Sequence, residues 1–392
     1  MAIKYELPER WFKYDATSLV EELTNAKAAV LSLTTIPFKR SWAERLQDIQ
    51  LKREVAGTSK IEGADFTETE LQAAMQESPE ELFTRSQRQA HAAVQTYRWI
   101  AGLNDDKPID CDLIKGVHRR IVSGADDDHC PPGQLREGDQ NVTFGSPRHR
   151  GVDGGTKCEE AFLKLGEAIK HDFPKHDLLI QALALHYHLG SMHPFLDGNG
   201  RTERALEALV LQRAGLRDTL FIAMSNYYYD EKIAYLQALS DSRSKSHDLT
   251  PFLSFGLKGI ALQCNRLFTE IRKHVSKALF RDVMYDLFGR LKSKRQRVIA
   301  ERQLQILKLL LDVEKMTLEK LYEQVAIDYG ALKSPGKAFV RDLNNLLNLG
   351  AIDTVKGEFH FCVKLEWATE ITETEFFKKV KQFPKAKSHP FL

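Results

Sequence analysis

The chain has 392 residues, 43% of them hydrophobic, and its 56 Lys+Arg against 54 Asp+Glu leave a formal net charge of +2. This nearly balanced charge does not indicate a strongly charged partner. The chain is longer than one hydrophobic core usually stabilises, so we expect two or three globular domains. The five cysteines are scattered without a CxxC pair, no apolar run reaches the ~18 residues of a membrane span, and the first residues lack a signal-peptide pattern. We therefore expect a cytoplasmic protein without a membrane partner.

The first 95 residues are predicted to form an N-terminal helical region. Helical patterns cover residues 18–32 and 41–56, and the second pattern runs into Gly57-Thr-Ser-Lys-Ile-Glu-Gly63, whose last glycine suits a helix end. Thr67-Glu-Thr-Glu70 is a capping box that opens the next helix. A further helix is predicted over residues 85–103, where the chain passes into a core domain assigned to residues 96–245.

A turn-rich segment interrupts the helices of that core. After a predicted helix over residues 111–122, the segment 124–155 is rich in Gly, Pro and Asp, and Asn141-Val-Thr-Phe-Gly145 is a short strand-like run. These features predict a small β-hairpin, or flap, among helices. Helices are then expected over residues 158–171, 175–190, 225–239 and 251–268.

The stretch His193-Pro-Phe-Leu-Asp-Gly-Asn-Gly-Arg-Thr-Glu-Arg204 places a base, a carboxylate, a glycine-rich turn and two arginines within twelve residues. Apolar helical segments lie on both sides, and Gly198-Asn199-Gly200 does not suit a helix interior, so a helix–loop–helix is predicted. The start of the second helix offers unpaired N–H groups and the positive end of a dipole, and Arg201 and Arg204 project to a common side of its first turn. The residues alone therefore indicate a phosphate-binding site with a base and a metal-capable carboxylate beside it.

Two other chemistries fit this stretch less well. A zinc hydrolase would use His186, His188 and His193 near Asp197, but the first two are two residues apart and point to different sides of a helix, and HExxH is absent. The Walker loop GxxxxGK(S/T) is also absent, because the cations here are arginines that follow the turn.

The same stretch resembles the complete signature of the Fic family, HxFx(D/E)GNGRxxR, with all eight specified positions filled. The similarity extends upstream through Pro132-Gly-Gln-Leu-Arg136 and residues 142–145, and it covers approximately residues 40–240. The resemblance implies a mainly α fold, with a helical Fic core and a β-hairpin flap. It also implies transfer of AMP from ATP to a hydroxyl group of a target protein.

By this resemblance, His193 takes the proton from the incoming Ser, Thr or Tyr, and Asp197 holds Mg²⁺, which bridges the phosphates. Gly198, Asn199 and Gly200 would bind the phosphates through backbone N–H groups and the asparagine side chain. Arg201 and Arg204 would neutralise the β- and γ-phosphates. The chemistry is consistent with these roles, because nucleotidyl transfer needs positioning and charge neutralisation, histidine titrates near neutrality, and Mg²⁺ accepts one carboxylate with phosphate oxygens and water.

A second motif, Thr58-Ser-Lys-Ile-Glu62-Gly63, resembles the inhibitory pattern (S/T)xxxE(G/N) that precedes the core in many Fic proteins. There the glutamate pairs with the second arginine of the signature, here Arg204, and obstructs placement of the γ-phosphate. A bidentate carboxylate competes with phosphate for the same guanidinium. We therefore predict an enzyme held mostly inactive by Glu62, and removal of AMP by the same site is left open.

Two further groups of residues near the site are weaker candidates. Val142 and Phe144 of the flap are expected to clamp a target segment or the adenine, by strand addition and apolar contact. Several tyrosines follow the core, and we favour packing over adenine contact for them: Tyr227, Tyr228, Tyr229 and Tyr235.

The remaining sequence is divided into a helical basic linker (246–297), a winged helix (298–366) and a C-terminal tail (367–392). Residues 266–302 hold eleven Lys/Arg against four acids. Three predicted helices and two strand-like runs describe the winged helix: 301–312, 317–327, 334–349, then 351–355 and 359–363 turning at Lys356-Gly357. The expected recognition helix has only a modest basic face (Lys333, Lys337 and Arg341, with Asp342 opposing), so DNA binding and protein interaction both stay open.

These observations predict an autoinhibited protein adenylyltransferase that uses ATP and Mg²⁺ and modifies a target protein and itself. The alternative is a DNA-binding winged-helix transcription regulator whose Fic core senses a nucleotide. A third hypothesis keeps the fold but transfers another group, such as phosphate or UMP. The target protein is unknown, and a homodimer is left open.

Overall fold

The computed structural model describes residues 3–64, 67–76, 82–145, 147–217, 221–355 and 360–383. The chain divides into two compact units, Met1–Thr269 and Glu270–Leu392. It is mainly helical with two small three-stranded sheets, which confirms the predicted fold class. No helix in the described ranges combines the length and apolar character needed to cross a membrane.

The helices of the first unit are close to those predicted. They are α1 (Val20–Thr35), α2 (Arg40–Ile61), α3 (Glu68–Gln76), α4 (Arg85–Ala101), α5 (Cys111–Val122), α6 (Thr156–His171), α7 (Leu178–Met192), α8 (Asn199–Arg213), α9 (Met224–Asp230) and α10 (Lys232–Ser244). The boundary between the units falls within α11 (Thr250–Gly289). The predicted capping box of α3 is present, since Glu70 N–H donates to Thr67 Oγ1 (3.2 Å) and Thr67 N–H donates to Glu70 Oε2 (2.6 Å).

Helix α2 continues past its predicted end at Ala56. A glycine inside a helix is normally unfavourable, but Gly57 is buried where α2 meets α9, and a Cβ there would lie only 2.5 Å from the backbone nitrogen of Asn226. The glycine permits this close approach, so the helix runs on with Glu62 as its C-cap residue. The inhibitory motif therefore lies on the last turn of a packed helix.

The predicted flap is a hairpin of β2 (Thr143–Phe144) and β3 (His149–Arg150), with Phe144 opposite His149. Its turn includes Ser146, which lies outside the described residues. A strand that was not predicted, β1 (Ile3–Lys4), pairs in parallel with β3 and gives the order β1-β3-β2. The N-terminal segment thus covers one edge of the flap hairpin.

Helices α7 and α8 form the centre of the first unit. α7 is mostly apolar, and its residues 182–192 are all buried, as expected for a helix surrounded by others. α8 is buried from residue 201 to residue 212. The predicted helix–loop–helix is confirmed, and two packed helices hold the loop 193–198 between them.

The second unit contains α12 (Lys294–Val313), α13 (Leu318–Val325), α14 (Pro335–Leu349), α15 (Trp367–Glu370) and α16 (Glu373–Gln382), with a sheet of β4 (Met316–Thr317), β6 (His360–Val363) and β5 (Ile352–Thr354) in that order. The predicted helices and strands are present, whereas β4, α15 and α16 were not predicted. The predicted turn at Lys356-Gly357 and residue Phe359 lie outside the described residues, and the winged-helix assignment stays a prediction. The unit begins at Glu270, inside the predicted linker (246–297), because Phe280, Met284 and Leu287 belong to its apolar core.

Candidate active site

His193 ends α7 in the left-handed conformation, with φ 52° and ψ 60°. Its Nδ1 donates to the carbonyl oxygen of Gly190 (2.8 Å), so Nε2 is the nitrogen free to accept a proton. Burial lowers the pKa of His193 to about 4. The imidazole is therefore neutral near pH 7, which is the form that a general base requires.

The glycine-rich turn is shaped by backbone conformation and by one amide side chain. Gly198 adopts φ 72° as the N-cap of α8, where a side chain would be strained. Asn199 Oδ1 accepts from Phe195 N–H (3.0 Å) and its Nδ2 donates to Phe195 O (2.8 Å). The Asn199 side chain thus holds the loop in this conformation, and its contact with a phosphate stays a prediction.

The two signature arginines reach different partners, although their spacing suggested a common side. Arg201 Nη1 lies 2.8 Å from a carboxylate oxygen of Asp126, and its Nη2 lies 3.6 Å from Asp197. Arg204 Nε donates to Thr58 Oγ1 (2.8 Å), and its Nη2 donates to Glu62 Oε1 (2.5 Å). A carboxylate from a different part of the chain holds each arginine.

Glu62 occupies the mouth of the anion-binding turn. Its Oε1 lies so close to Gly200 that a Cβ on that residue would overlap it. The Glu62 side chain is 40% exposed, whereas that of Arg204 is 2% exposed. The carboxylate therefore stands at the start of α8, where an anion is favoured by the N–H groups and by the helix dipole.

The helix that carries Glu62 is anchored by a buried carboxylate that the sequence did not reveal. Glu54, Thr58 and Glu62 are spaced four residues apart and so share one face of α2. Glu54 accepts hydrogen bonds from Ser225 N–H (2.8 Å), Tyr97 Oη (2.7 Å) and the Ser225 hydroxyl. Burial raises the pKa of Glu54 to about 7, even though these donors favour the ionised form.

A buried polar cluster lies behind the site. His186 contacts Glu207 through Nδ1, Tyr235 Oη through Nε2 (2.9 Å) and Glu203 (3.4 Å). Burial alone would lower the pKa of His186, but Tyr235, Glu203 and Glu207 hold it well above its usual value. Glu203 also lies 3.9 Å from Arg204, so the cluster adds negative charge behind the signature arginine.

Asp197 lies in a cluster of charged groups that sequence reasoning did not assemble. Its Oδ2 lies 3.3 Å from Arg85 Nη2 and 3.1 Å from His129 Nε2. Asp126, His129 and Asp197 each offer one potential ligand atom within 4.8 Å of the others. The acidic run 126–128 was the only local signal for this cluster, and nothing near Arg85 marks it.

The donor set at this cluster suits Mg²⁺ through Asp197 rather than through its other members. Asp126 is fully buried and is engaged by Arg85 (2.7 Å) and Arg201 (2.8 Å), and imidazole suits Mg²⁺ less well than oxygen ligands do. Asp197 is more exposed, with 38% of its side chain accessible. Because one carboxylate can suffice when phosphates and water supply the other ligands, Asp197 fits a magnesium–nucleotide complex.

The flap covers the base. The Phe144 ring stacks on the His193 ring with centroids 3.7 Å apart and an interplanar angle of 9°. The Arg243 guanidinium lies 4.7 Å from the Phe144 centroid. A cavity of about 350 Å³ lies beside the flap and the base. Its lining includes all the predicted site residues except Arg201: Glu62, His193, Asp197, Gly198, Asn199, Gly200 and Arg204. Val142 and Phe144 also line it, and their predicted clamping role stays a prediction.

The tyrosines that follow the core mostly pack, as favoured from the sequence. Tyr227, Tyr228 and Tyr235 are buried, and Tyr229 is 39% exposed. Tyr235 additionally lines the cavity.

Comparison with known proteins agrees with this geometry. Residues 108–211 match the model of the Fic/DOC family. The protein adenylyltransferase Fic of Culex quinquefasciatus is 30% identical over 159 residues, which cover 37% of this chain and 26% of that protein. The Drosophila melanogaster protein of the same name is 36% identical over 89 residues, 20% of this chain and 18% of that protein. The aligned segments thus span only about a quarter or less of these relatives.

Solved structures extend the similarity in fold. A Fic family protein from Desulfovibrio desulfuricans has a TM-score of 0.56 at 16% identity, covering 92% of this chain and 98% of that one. Fic-1 from C. elegans has a TM-score of 0.54 at 20% identity, covering 66% and 76%. With the signature complete and the family model matched around it, the chain contains a Fic/DOC family domain.

Proposed function

We propose that this protein is an adenylyltransferase that moves AMP from ATP to a Ser, Thr or Tyr hydroxyl of a target protein, and to itself. The observation that best supports the proposal is a single cavity of about 350 Å³ that joins a neutral histidine, an anion-binding turn and a buried guanidinium. The names of the aligned relatives are consistent with this activity.

In the proposed reaction, the acceptor oxygen attacks the α-phosphorus of ATP. The bond between that phosphorus and the β-phosphate oxygen breaks, and pyrophosphate leaves with the electron pair. Nε2 of His193 takes the hydroxyl proton, and such a base typically contributes ~10²–10⁴ in rate. Phe144 stacks on a face of the His193 ring, whereas the lone pair of Nε2 that takes the proton lies in the plane of that ring.

The phosphates would be held at the start of α8. The backbone N–H groups of Gly198, Asn199 and Gly200 and the guanidinium groups of Arg201 and Arg204 supply the positive potential. Mg²⁺ held by Asp197 would neutralise phosphate charge when bound. For this, Arg85 and His129 would give up their contacts with Asp197 Oδ2.

We further propose that Glu62 inhibits the transfer. Its carboxylate pairs with Arg204 and lies against Gly200, where a terminal phosphate would otherwise bind. The ion pair is charge-assisted and directional, so ATP competes with it for one guanidinium. Removal of AMP from a modified target by the same site stays a prediction.

The test is labelling with ATP radiolabelled in the α-phosphate, in the presence of Mg²⁺, for the wild type, Glu62→Gly, His193→Ala and the double variant. We expect stronger labelling of protein for Glu62→Gly and none for the double variant. Glu44→Gly is the matched control, because it places glycine at an exposed position of the same helix and leaves the Glu62–Arg204 pair intact. Equal labelling of wild type and Glu62→Gly would contradict inhibition, and label arriving only from the γ-phosphate would contradict AMP transfer.

The alternative of a DNA-binding regulator stays a prediction. Several cations of the basic segment have acidic partners within the second unit: Lys273 with Glu314, Arg281 with Asp312, Arg290 with Asp286 and Glu373, and Arg302 with Asp342. These pairs leave fewer charges for phosphate contacts. Duplex DNA binding that weakens steeply with salt, and that is lost in Lys333→Ala/Lys337→Ala, would favour the alternative.

A further inference from the structure

Arg243, near the end of α10, is a cation of the cavity that lies outside the signature and that the sequence did not reveal. Its Nε donates to Ser191 Oγ (3.0 Å) and its Nη2 to Gly190 O (3.4 Å). Both acceptors are neutral, and within the described ranges no carboxylate lies within ion-pair distance of the guanidinium. Arg243 lines the cavity and is only partly buried.

Arg136 shows what a purely structural arginine looks like in the same unit. It is 1% exposed, it does not line the cavity, and it donates to three carbonyl groups, those of His193 (2.8 Å), Gln140 (2.6 Å) and Val152. All three donor nitrogens of Arg136 thus hold backbone carbonyl groups in place. Arg243 uses Nε and Nη2 in this way, while Nη1 lies under the flap, 3.9 Å from where a Cβ of Gly145 would be.

The position of Arg243 relates it to the base. The carbonyl oxygen of Gly190 accepts from both His193 Nδ1 (2.8 Å) and Arg243 Nη2 (3.4 Å), and the Phe144 ring contacts both side chains. The cation therefore lies at the histidine end of the cavity. Arg204 and Gly200 line the same cavity and lie beside Glu62 instead.

The proposed reaction needs positive charge in two places, at the start of α8 and beside the base. The pyrophosphate leaving group would be neutralised at the start of α8, but the attack itself occurs at the α-phosphorus, beside the base. Charge on the non-bridging oxygens of that group is best stabilised by a preorganised donor within a cavity that excludes water. A guanidinium serves well because its planar donors match phosphate oxygens and it stays charged.

We propose that Arg243 is a catalytic residue that donates from Nη1 to a non-bridging oxygen of the α-phosphoryl group as the acceptor hydroxyl attacks. The proposal rests on the AMP-transfer function above. In the step, the new bond joins the acceptor oxygen to the α-phosphorus, the bond to pyrophosphate breaks, the proton passes to His193 Nε2, and Arg243 keeps all its protons.

The experiment uses the full-length Glu62→Gly variant as the active background and adds Arg243→Met, Arg243→Lys or Ser191→Ala. For each, kcat and KM are measured with ATP and with the two diastereomers of ATP carrying sulfur at a non-bridging α-position. We expect Arg243→Met to lower kcat ~100-fold, as loss of a preorganised donor does, with a KM change below about threefold. The rate difference between the diastereomers should shrink in Arg243→Met and be partly restored by lysine.

Ser191→Ala is the matched control, because it removes the brace on Arg243 but leaves the charge, and we expect it to change kcat by less than about threefold. An Arg243→Met enzyme with unchanged kcat, or with unchanged discrimination between the diastereomers, overturns the proposal. Equal losses in Ser191→Ala and Arg243→Met assign the effect to the contact between these two side chains and not to a donor on the phosphoryl group, and they overturn the proposal too. If Arg243→Met does not fold, Arg243→Lys with full kcat and unchanged discrimination overturns the proposal in its place. A Glu62→Gly background without any AMP transfer contradicts the proposed function instead.

Discussion

The two units bury charge in different ways. Around α7 and α8 the first unit buries many charged side chains at 4% exposure or less, namely Glu54, Asp126, Arg136, Arg201, Glu203, Arg204 and Glu207. In the described part of the second unit, the buried charged residues are Arg302 and Asp342, which pair at 2.8 Å. Since burying a charge is costly unless it is paired, such a concentration in one place indicates a functional site.

The pairs also differ in whether they can be exchanged. Asp342 is fully buried and accepts from both Arg302 (2.8 Å) and Tyr329 (3.1 Å). We call this pair closed, meaning that solvent and ligands do not reach it. Arg204 is held by Glu62, which remains 40% exposed and lies at the edge of a cavity. The first unit thus contains a charge that a ligand can reach, and the second contains a pair whose two side chains are only 8% and 0% exposed.

The largest effect is expected from breaking the closed pair. Asp342→Ala leaves Arg302 buried without its carboxylate, and we expect the free energy of unfolding of the second unit to fall by about 3–5 kcal/mol. Replacing both partners, Arg302→Met with Asp342→Leu, should cost clearly less, because no buried charge is left unpaired and only the Tyr329 hydroxyl loses its acceptor. Denaturant unfolding of the three proteins checks this, and a loss below about 1 kcal/mol for Asp342→Ala would show that the pair is not closed.

In the first unit, the anchor of α2 should make stability depend on pH. The pKa of Glu54 is about 7 in the folded protein against 4.5 for the ordinary group, so folding binds a proton between these values. The contribution of Glu54 to stability is therefore largest below pH 4.5 and is lost as pH rises through 7, by up to about 3 kcal/mol. Glu54→Gln should remove this dependence.

Unfolding midpoints of the wild type and Glu54→Gln at pH 5.5 and pH 8 give the measurement. The exposed Glu44→Gln, on the same helix, is the control and should follow the wild type. Parallel pH profiles for wild type and Glu54→Gln would be incompatible with a buried carboxyl of raised pKa.

The comparison also explains what could be predicted from the sequence. The loop His193–Arg204 was predictable because its residues are contiguous and its glycines mark the turn. Arg85, Asp126 and Arg243 were not, since each reaches the site through packing of helices or turns distant in sequence. α2 was predicted too short because the intrinsic cost of Gly57 in a helix was outweighed by its contact with α9, which only the tertiary structure contains. The pairing of β1 with β3 was missed for the same reason.

The contact of Gly57 with α9 offers a way to weaken the Glu62–Arg204 pair, called here the exchangeable pair, without replacing either of its residues. Gly57→Ala would place a Cβ 2.5 Å from the backbone of Asn226, so α2 or α9 has to shift, at about 1–3 kcal/mol. We expect a weaker ion pair between Glu62 and Arg204, and therefore more AMP transfer in an otherwise wild-type chain. Gly116 in α5 is the matched control, because a Cβ there meets nothing within 4 Å. Gly116→Ala should stabilise by about 0.5–1 kcal/mol and leave labelling unchanged.

The smallest effect is expected from the second contact on Arg204. Thr58→Val keeps the side-chain shape but removes the hydroxyl that accepts from Arg204 Nε at 2.8 Å. Losing one hydrogen bond of about 1 kcal/mol should free the guanidinium for phosphate and raise labelling about fivefold when Glu62 is present. In the Glu62→Gly background the inhibiting carboxylate is already absent, so Thr58→Val should increase labelling very little. An equal increase in both backgrounds would mean that Thr58 acts on the nucleotide site itself and not through the exchangeable pair. The two backgrounds therefore separate inhibition by the Glu62–Arg204 pair from the intrinsic affinity of the site for phosphate.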